Sequence, residues 1–309
     1  MQTAQEVPTM PSQRRLMLVH AHPDDETIGT GVTMAKYAAE GADVTLVTCT
    51  LGEEGEVLLE EFAHLAADKE DRLGEHRQGE LAAAMQALGV SDFRLLGGPG
   101  RFRDSGMVGT ASNDNPACFW RADLLEAARA LVAVIREVRP QVLVTYDDFG
   151  GYGHPDHIQA HRVSHYAVSL AAAAGFAPDL GPAWQVSKVY WTAFPRSVVL
   201  AGIAAMKEQA EAHGEEVPVN EFTSMNAEDL PFVCDDALVT TVIEAPDYLP
   251  AKMAALRAHG TQVQVDGGFF ALADSIGSQA FGTEYFRLVA GTSLPDVDGL
   301  ERDLFAGVA

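Results

Sequence analysis

Short apolar runs alternate with amphipathic stretches along the first two thirds of the chain. The runs are rich in Val and Leu, which is typical of buried strands, and most end near glycine or at polar clusters. The stretches between them carry apolar residues at helical spacing. This pattern predicts strands at residues 16–20, 43–49, 93–96, 142–145 and 188–192 and helices at residues 27–40, 69–88, 119–138 and 156–174.

Strands separated by helices need crossover connections, and these place mostly parallel strands in one sheet with helices on both faces. We therefore predict a doubly wound, Rossmann-like α/β domain at residues 14–195, with strand order 3-2-1-4-5. The pattern beyond it predicts a helix at 198–212, an acidic stretch at 213–236, a strand at 238–244 and a helix at 248–259. Residues 196–309 are interpreted as a smaller C-terminal region that completes the substrate crevice.

The composition is that of a globular protein, with 47% hydrophobic and 21% charged residues among 309. Asp and Glu number 44 against 21 Lys and Arg, and the formal net charge of −23 repels phosphate backbones and anionic headgroups. We therefore expect neither a nucleic-acid nor a membrane partner. Residues 1–15 lack the apolar core of a signal peptide, and Cys49, Cys118 and Cys234 form no C-x-x-C motif, so we expect reduced thiols and a cytoplasmic location.

Two polar loops follow predicted strands. The sequence AHPDDE at residues 21–26 comes directly after the first strand, and GGYGHPDH at residues 150–157 follows the fourth. In an open α/β sheet, ligands bind beyond the carboxyl ends of the strands, at the point where the strand order reverses. The first and fourth strands flank that point in the predicted order, so the two loops are expected to meet in one site.

Together the loops offer two imidazoles and one carboxylate, from His22, Asp25 and His157. This mixture of ligands suits Zn²⁺ or Fe²⁺ with a coordination position left open for water or substrate. Asp24 cannot easily share the metal with its neighbour Asp25, because adjacent side chains point in different directions. It is therefore predicted to be a general base. The alternative is a purely structural polar cluster at the end of the sheet.

The second loop supplies further candidate catalytic groups. His154 would protonate the leaving group or hold a developing oxyanion, Asp156 would fix the tautomer of that imidazole, and Tyr152 would add a hydroxyl donor. His161 and His165 continue one face of the same predicted helix and could extend a metal site. Without an H-E-x-x-H motif, we interpret them as core residues or as supports of the ligands and not as ligands.

The glycine-rich stretch at residues 97–115 follows the third predicted strand. It is either a substrate loop or a surface loop, and Arg101, Arg103 and Asp104 favour the substrate role. Arg77 lies on a helix that looks exposed from its sequence, where an ion pair is the expected interaction.

The two polar loops resemble the signature motifs of a known family, the LmbE-like or PIG-L-type metal-dependent N-acetylglucosamine deacetylases. The matching motifs are AHPDDE at 21–26 and HPDH at 154–157. The stretches TCTLGEEGEV at 48–57, GRFRDSGM at 100–107 and GGYGHPDH at 150–157 are similar to the family members that act on N-acetylglucosaminyl-inositol in mycothiol biosynthesis. The resemblance covers residues 14 to about 290.

This resemblance implies an LmbE-like α/β fold and hydrolysis of the N-acetyl group of a small amino-sugar-inositol substrate. The implied ligands of one Zn²⁺, or Fe²⁺, are His22, Asp25 and His157. The implied catalytic groups are Asp24 as general base, His154 as general acid and Tyr152 as the group that polarises the amide oxygen. Arg77 and Asp104 would contact the sugar or inositol hydroxyls.

Two other functions stay open at this point. An amidase of the same family that cleaves mycothiol S-conjugates would use the same metal loop on a larger substrate, and the stretch 48–57 favours the deacetylase. A non-catalytic sugar-binding module stiffened by a metal would not need the unligated carboxylate of Asp24 beside an open metal position. The sequence leaves the oligomeric state open.

Overall fold

The computed structural model describes residues 13–213, 230–264 and 281–308. Its strands are β1 (Arg15–His20), β2 (Asp43–Thr48), β3 (Asp92–Leu95), β4 (Val142–Thr145), β5 (Lys188–Ala193), β6 (Thr241–Glu244) and β7 (Thr283–Ala290). Its α-helices are α1 (Asp25–Ala39), α2 (Leu73–Leu88), α3 (Leu124–Val138), α4 (Pro155–Ala172), α5 (Arg196–His213) and α6 (Leu249–Ala258).

The strands of the described residues form one seven-stranded sheet in the order β3-β2-β1-β4-β5-β7-β6. The first five strands are parallel, with His20 opposite Thr48 and Leu18 opposite Val144. The predicted strand order and the doubly wound fold are therefore confirmed. β7 and β6 extend the sheet with antiparallel pairing, and β7 has no counterpart among the predicted strands. The C-terminal residues thus add to the same sheet.

The sheet separates two apolar cores, because successive side chains of a strand point to opposite faces. In β1, Leu16 and Leu18 belong to the core formed with α1, α2 and α6, while Met17 and Val19 belong to the core formed with α3 and α4. All four side chains are fully buried. Burial on both faces explains why these strands are continuous apolar runs in the sequence.

Two helices begin later than predicted. α2 begins at Leu73, and α3 begins at Leu124, where the Asp123 carboxylate accepts a 2.9 Å hydrogen bond from the Glu126 backbone N–H and caps the first turn. The predicted acidic stretch at 213–236 lies largely outside the described residues. None of the described helices is both long and apolar enough to cross a bilayer.

The two polar loops lie side by side at the carboxyl edge of the sheet. β1 ends at His20 and α1 begins at Asp25, while β4 ends at Thr145 and α4 begins at Pro155. Since β1 and β4 are hydrogen-bonded neighbours, the turn that follows one strand faces the turn that follows the other. The predicted meeting of the two loops is confirmed.

Candidate metal centre and active site

The three predicted metal ligands converge on one point. His22 Nδ1 lies 3.3 Å from Asp25 Oδ2, His157 Nε2 lies 3.3 Å from the same oxygen, and the two nitrogens are 3.3 Å apart. Zinc binds such atoms at about 2.0–2.1 Å, which sets tetrahedral ligand atoms about 3.3–3.4 Å from one another. The donor set and its spacing therefore fit one face of a tetrahedral zinc site.

The imidazole of His22 is oriented by carboxylates on its far side. Its Nε2 lies 3.2 Å from Asp156 Oδ2 and 3.5 Å from Asp104 Oδ1. A histidine ligand usually gives its second ring N–H to such a partner, which leaves the first nitrogen for the metal. Burial opposes protonation of His22, but Asp104, Asp156 and Asp25 outweigh it and raise the pKa of His22 well above its usual value. The pocket therefore favours positive charge at this point.

His157 is held by a residue that the sequence analysis missed. The ring of Tyr146 stacks on the His157 imidazole with centroids 4.3 Å apart. The Tyr146 hydroxyl accepts a 2.9 Å hydrogen bond from the Ala21 backbone N–H and lies 3.1 Å from His20 Nδ1. Tyr146 therefore ties the first loop to the second. The only sequence signal for it is its position directly after β4.

Asp24, the residue before the predicted ligand Asp25, has a strained backbone conformation. Its φ is +123°, a value that residues other than glycine rarely adopt and that is concentrated at functional sites. Burial raises the pKa of Asp24 to about 6, with a further increase from Asp25 and an opposing effect from Arg77. The carboxylate is therefore ionised at neutral pH yet basic enough to accept a proton.

The Asp24 carboxylate is positioned by Arg77, whose Nη2 donates a hydrogen bond to Asp24 Oδ2 at 3.1 Å. The same guanidinium donates to Gly52 O at 2.8 Å and to Pro23 O. A Cβ on Gly52 would lie 1.9 Å from an Arg77 nitrogen, so this close approach requires glycine. Arg77 is 2% exposed, and the expectation of an exposed helix position was wrong. The loop that contains Gly52 folds over α2 and covers it.

His154 caps α4 with its ring. Its Nδ1 accepts a 3.1 Å hydrogen bond from the Asp156 backbone N–H, so the neutral imidazole carries its proton on Nε2. Burial, together with the neighbouring rings of His22 and His157, lowers the pKa of His154 to about 3. The expectation for Asp156 needs a correction, because its backbone amide fixes this tautomer while its carboxylate contacts His22.

Tyr152 closes the open side of the site. Its ring centroid lies 4.9 Å from that of His157, and burial raises the pKa of its hydroxyl above the usual value. The loop that carries Tyr152 turns tightly at Gly150, where φ is +66° and a Cβ would lie 2.6 Å from the Cβ of His157. Glycine at this position therefore lets Tyr152 approach the metal ligands.

Asp104 is buried within the glycine-rich loop. Its carboxylate accepts backbone N–H groups from Gly106 at 2.8 Å and Glu54 at 3.1 Å. The two arginines that favoured a substrate role for this loop are not brought into the site. Arg101 pairs with Glu126 on α3, and Arg103 pairs with Glu54 and Asp71.

Comparison with known proteins identifies the family of this chain. The PIG-L family, described as GlcNAc-PI de-N-acetylase, matches residues 17–168. A relative from Geodermatophilus obscurus, named 1D-myo-inositol 2-acetamido-2-deoxy-alpha-D-glucopyranoside deacetylase, is 59% identical over 300 residues, which are 97% of this chain and 99% of the relative. This chain belongs to the PIG-L family.

Solved structures share the PIG-L fold at low sequence identity. The N,N'-diacetylchitobiose deacetylase from Pyrococcus horikoshii has a TM-score of 0.58 and 18% identity, over 93% of this chain and 89% of that one. GalB, the 4-carboxy-2-hydroxymuconate hydratase from Pseudomonas putida, has a TM-score of 0.56 and 18% identity, over 92% and 100%. Because a hydratase shares the fold, the fold alone does not define the reaction.

Two further histidines on α4, His161 and His165, are not among the proposed ligands. His165 Nε2 accepts a 2.7 Å hydrogen bond from Trp191 Nε1, and His161 Nδ1 lies 3.1 Å from Tyr146 O. Both therefore fasten α4 to its neighbours, and His161 does so at Tyr146, whose ring stacks on His157.

Proposed function

We propose that this PIG-L protein hydrolyses the N-acetyl group of 1D-myo-inositol 2-acetamido-2-deoxy-α-D-glucopyranoside, giving acetate and the free amine of glucosaminyl-inositol. The observation that carries the reaction type is the triangle of potential ligand atoms from His22, Asp25 and His157. The buried carboxylate of Asp24, which neighbours Asp25 and has a raised pKa, supplies the base. The relative of 59% identity over almost the whole chain supports the substrate.

One Zn²⁺, or Fe²⁺, would be held by His22 Nδ1, Asp25 Oδ2 and His157 Nε2. When bound, such an ion supplies Lewis acidity for the acetyl carbonyl and lowers the pKa of water. Asp156 and Asp104 support this set through the far nitrogen of His22.

The protein supplies the proton transfers. Asp24 accepts a proton from the attacking water, for which its raised pKa of about 6 is suited. His154 is neutral in the tautomer fixed by the Asp156 amide, so it has no proton to give to the amine, and the implied general-acid role needs a correction. Its Nε2–H instead donates a hydrogen bond to the developing oxyanion. The proton that Asp24 takes from water then passes to the departing amine nitrogen. Tyr152 donates its hydroxyl hydrogen to the acetyl oxygen as negative charge develops there.

We propose that Arg77 and Asp104 contact the hydroxyls of the sugar or inositol. Their positions support this role, since Arg77 borders Asp24 and Asp104 borders His22. Residues 14–195 then form the catalytic domain, and residues 196–309 complete the crevice. The three free cysteines support a reducing, cytoplasmic setting, in which the reaction would serve mycothiol biosynthesis.

The first test is primary-amine release from N-acetylglucosaminyl-inositol by the metal-loaded protein, beside a chelator-treated sample. We expect chelator-sensitive release that returns when Zn²⁺ is restored. A bulky thiol conjugate of mycothiol is the comparison substrate. Faster cleavage of the conjugate would favour the amidase, and binding of the sugar without amine release would favour the binding module.

A further inference from the structure

A buried ion pair links the C-terminal region to the first loop of the site. His259 follows α6, and its Nε2 lies 2.8 Å from Glu26 Oε1, although the two residues are 233 positions apart in the sequence. Neither residue has any exposed surface. Burial opposes protonation of His259, but Glu26 outweighs it and raises the pKa of His259. The pair is therefore a charge-assisted hydrogen bond between two fully buried side chains.

The second oxygen of Glu26 acts on the backbone of Asp24. Glu26 Oε2 accepts the Asp24 backbone N–H at 2.9 Å. That amide belongs to the residue with φ +123°, and the Asp24 carbonyl accepts the first N–H groups of α1, from Thr27 and Ile28. The direction of the Asp24 side chain is therefore set from two sides, by Glu26 at the backbone and by Arg77 at the carboxylate.

The position of His259 does not depend on its own contact with Glu26. Thr261, two residues later, donates its N–H and its hydroxyl to the two oxygens of Glu80, each at 2.8 Å. Lys252 on α6 pairs with Glu284 on β7 at 2.8 Å. These contacts anchor the segment around His259, so the effect of the His259 side chain on Asp24 can be separated from the docking of α6.

We infer that His259 and Glu26 are a positioning pair that holds Asp24 in its productive orientation. The inference rests on the proposed function, in which Asp24 is the general base. His259 fixes the Glu26 carboxylate, and Glu26 fixes the Asp24 amide in a backbone conformation that it would otherwise leave. Through this pair, the C-terminal region contributes to proton transfer by a side chain that is itself fully buried.

Two substitutions of His259 form a matched pair. In His259→Gln the side-chain amide nitrogen takes the place of Nε2 and can still donate to Glu26, whereas in His259→Asn it takes the place of Nδ1. Among the described residues, Nδ1 of His259 has no hydrogen-bond partner, so His259→Gln loses no bond there. Both variants remove the ring and stay polar, and only one keeps the contact.

We expect His259→Asn to lower kcat by about 10- to 100-fold, since misplacement of a catalytic group by about 1 Å costs up to this much. KM for the acetylated sugar and the zinc content should stay within about twofold of wild type, because the metal ligands are not moved. His259→Gln should restore most of kcat. Equal kcat in the two variants, or loss of zinc in His259→Asn, would overturn the inference.

Hydrogen exchange of the Asp24 amide in the zinc-loaded protein, measured by NMR, tests the pair without turnover. We expect faster exchange in His259→Asn and wild-type exchange in His259→Gln, and equal exchange would overturn the inference. If wild type releases no amine, the proposed function fails while this measurement still decides on the pair. If His259→Asn does not fold, Glu26→Gln replaces it in this test. The glutamine side chain has one oxygen, which cannot accept hydrogen bonds from both His259 and the Asp24 amide. Unchanged exchange of the Asp24 amide in Glu26→Gln would also overturn the inference.

Discussion

The tripeptide His-Pro-Asp occurs twice at the site, at residues 22–24 and 154–156, and its members have different roles in the two copies. In the first copy the helix begins after the tripeptide, at Asp25, and the histidine stays free to point Nδ1 at the metal position. In the second copy the helix begins at the proline, Pro155, and the histidine caps it with Nδ1.

This shift of the helix start explains the difference in roles. The residue after the tripeptide, Asp25 or His157, belongs to the triangle of proposed ligand atoms in both copies. The aspartate of the first copy, Asp24, precedes its helix and presents its carboxylate beside the ligands. The aspartate of the second, Asp156, lies inside the first turn and supports His22 from behind. The two identical tripeptides therefore have different roles, because the helix begins after the first copy and within the second.

The largest expected effect comes from Asp24→Asn. We expect kcat to fall by about 10²- to 10⁴-fold, because an amide cannot accept the proton of the attacking water. Metal content should stay at the wild-type level, since Asp24 is not part of the ligand triangle. Kinetics and metal analysis check this, with His22→Ala as the comparison that loses metal first. Metal loss in Asp24→Asn, with full activity restored by excess metal, would make Asp24 a ligand.

His154→Asn separates the two functions of the second histidine. Asparagine still caps α4, so the free energy of unfolding should stay near that of wild type, while the rate falls by about 10²-fold because the Nε2 proton is lost. His154→Ala should lose the same activity and in addition about 0.5–2 kcal/mol of stability. Denaturant unfolding and amine release measure the two effects. Wild-type kcat in His154→Asn would show that the Nε2–H of His154 does not stabilise the transition state.

Asp156→Asn tests whether the Asp156 carboxylate, from the second loop, orients the His22 ring of the first loop. We expect metal affinity to fall by about 10- to 100-fold, because His22 loses the carboxylate that orients its ring, with activity recovering as metal is added. Asp148→Asn, an exposed change in the same β4–α4 connection, is the control. A metal titration checks both variants. Equal affinity in the two would show that Asp156 does not orient the ligand.

The smallest effect concerns His165, two turns beyond His157 on α4. Burial, together with His161, lowers the pKa of His165 to about 4, whereas the unfolded residue titrates near 6.5. Between these values the unfolded state binds more protons, so the stability that His165 contributes is lost as the pH falls from about 6.5 to about 4. His165→Gln should reduce the pH dependence of unfolding and leave metal content unchanged. An unaltered pH dependence would contradict the low pKa.

Several features were readable from the sequence because they depend on local pattern. The strands that carry the site are continuous apolar runs, and each motif follows one of them directly. β7 was not predicted because one of its buried positions holds a charged residue. Glu284 points into the protein and pairs with Lys252, which breaks the alternation of apolar and polar residues. Arg77 was placed on an exposed face because its burial comes from a loop that only the folded chain brings over α2.

The sequence by itself determined the order of the parallel strands and which candidate metal ligands, His22, Asp25 and His157, would meet at the edge of the sheet. Periodicity and the position of a loop after a strand are local properties, and the topology rules convert them into proximity. The tertiary structure alone decided that Asp156 supports His22, that Tyr146 stacks on His157, and that His259 holds Glu26. These contacts join distant residues through side-chain direction and burial, which the packing of the whole chain sets.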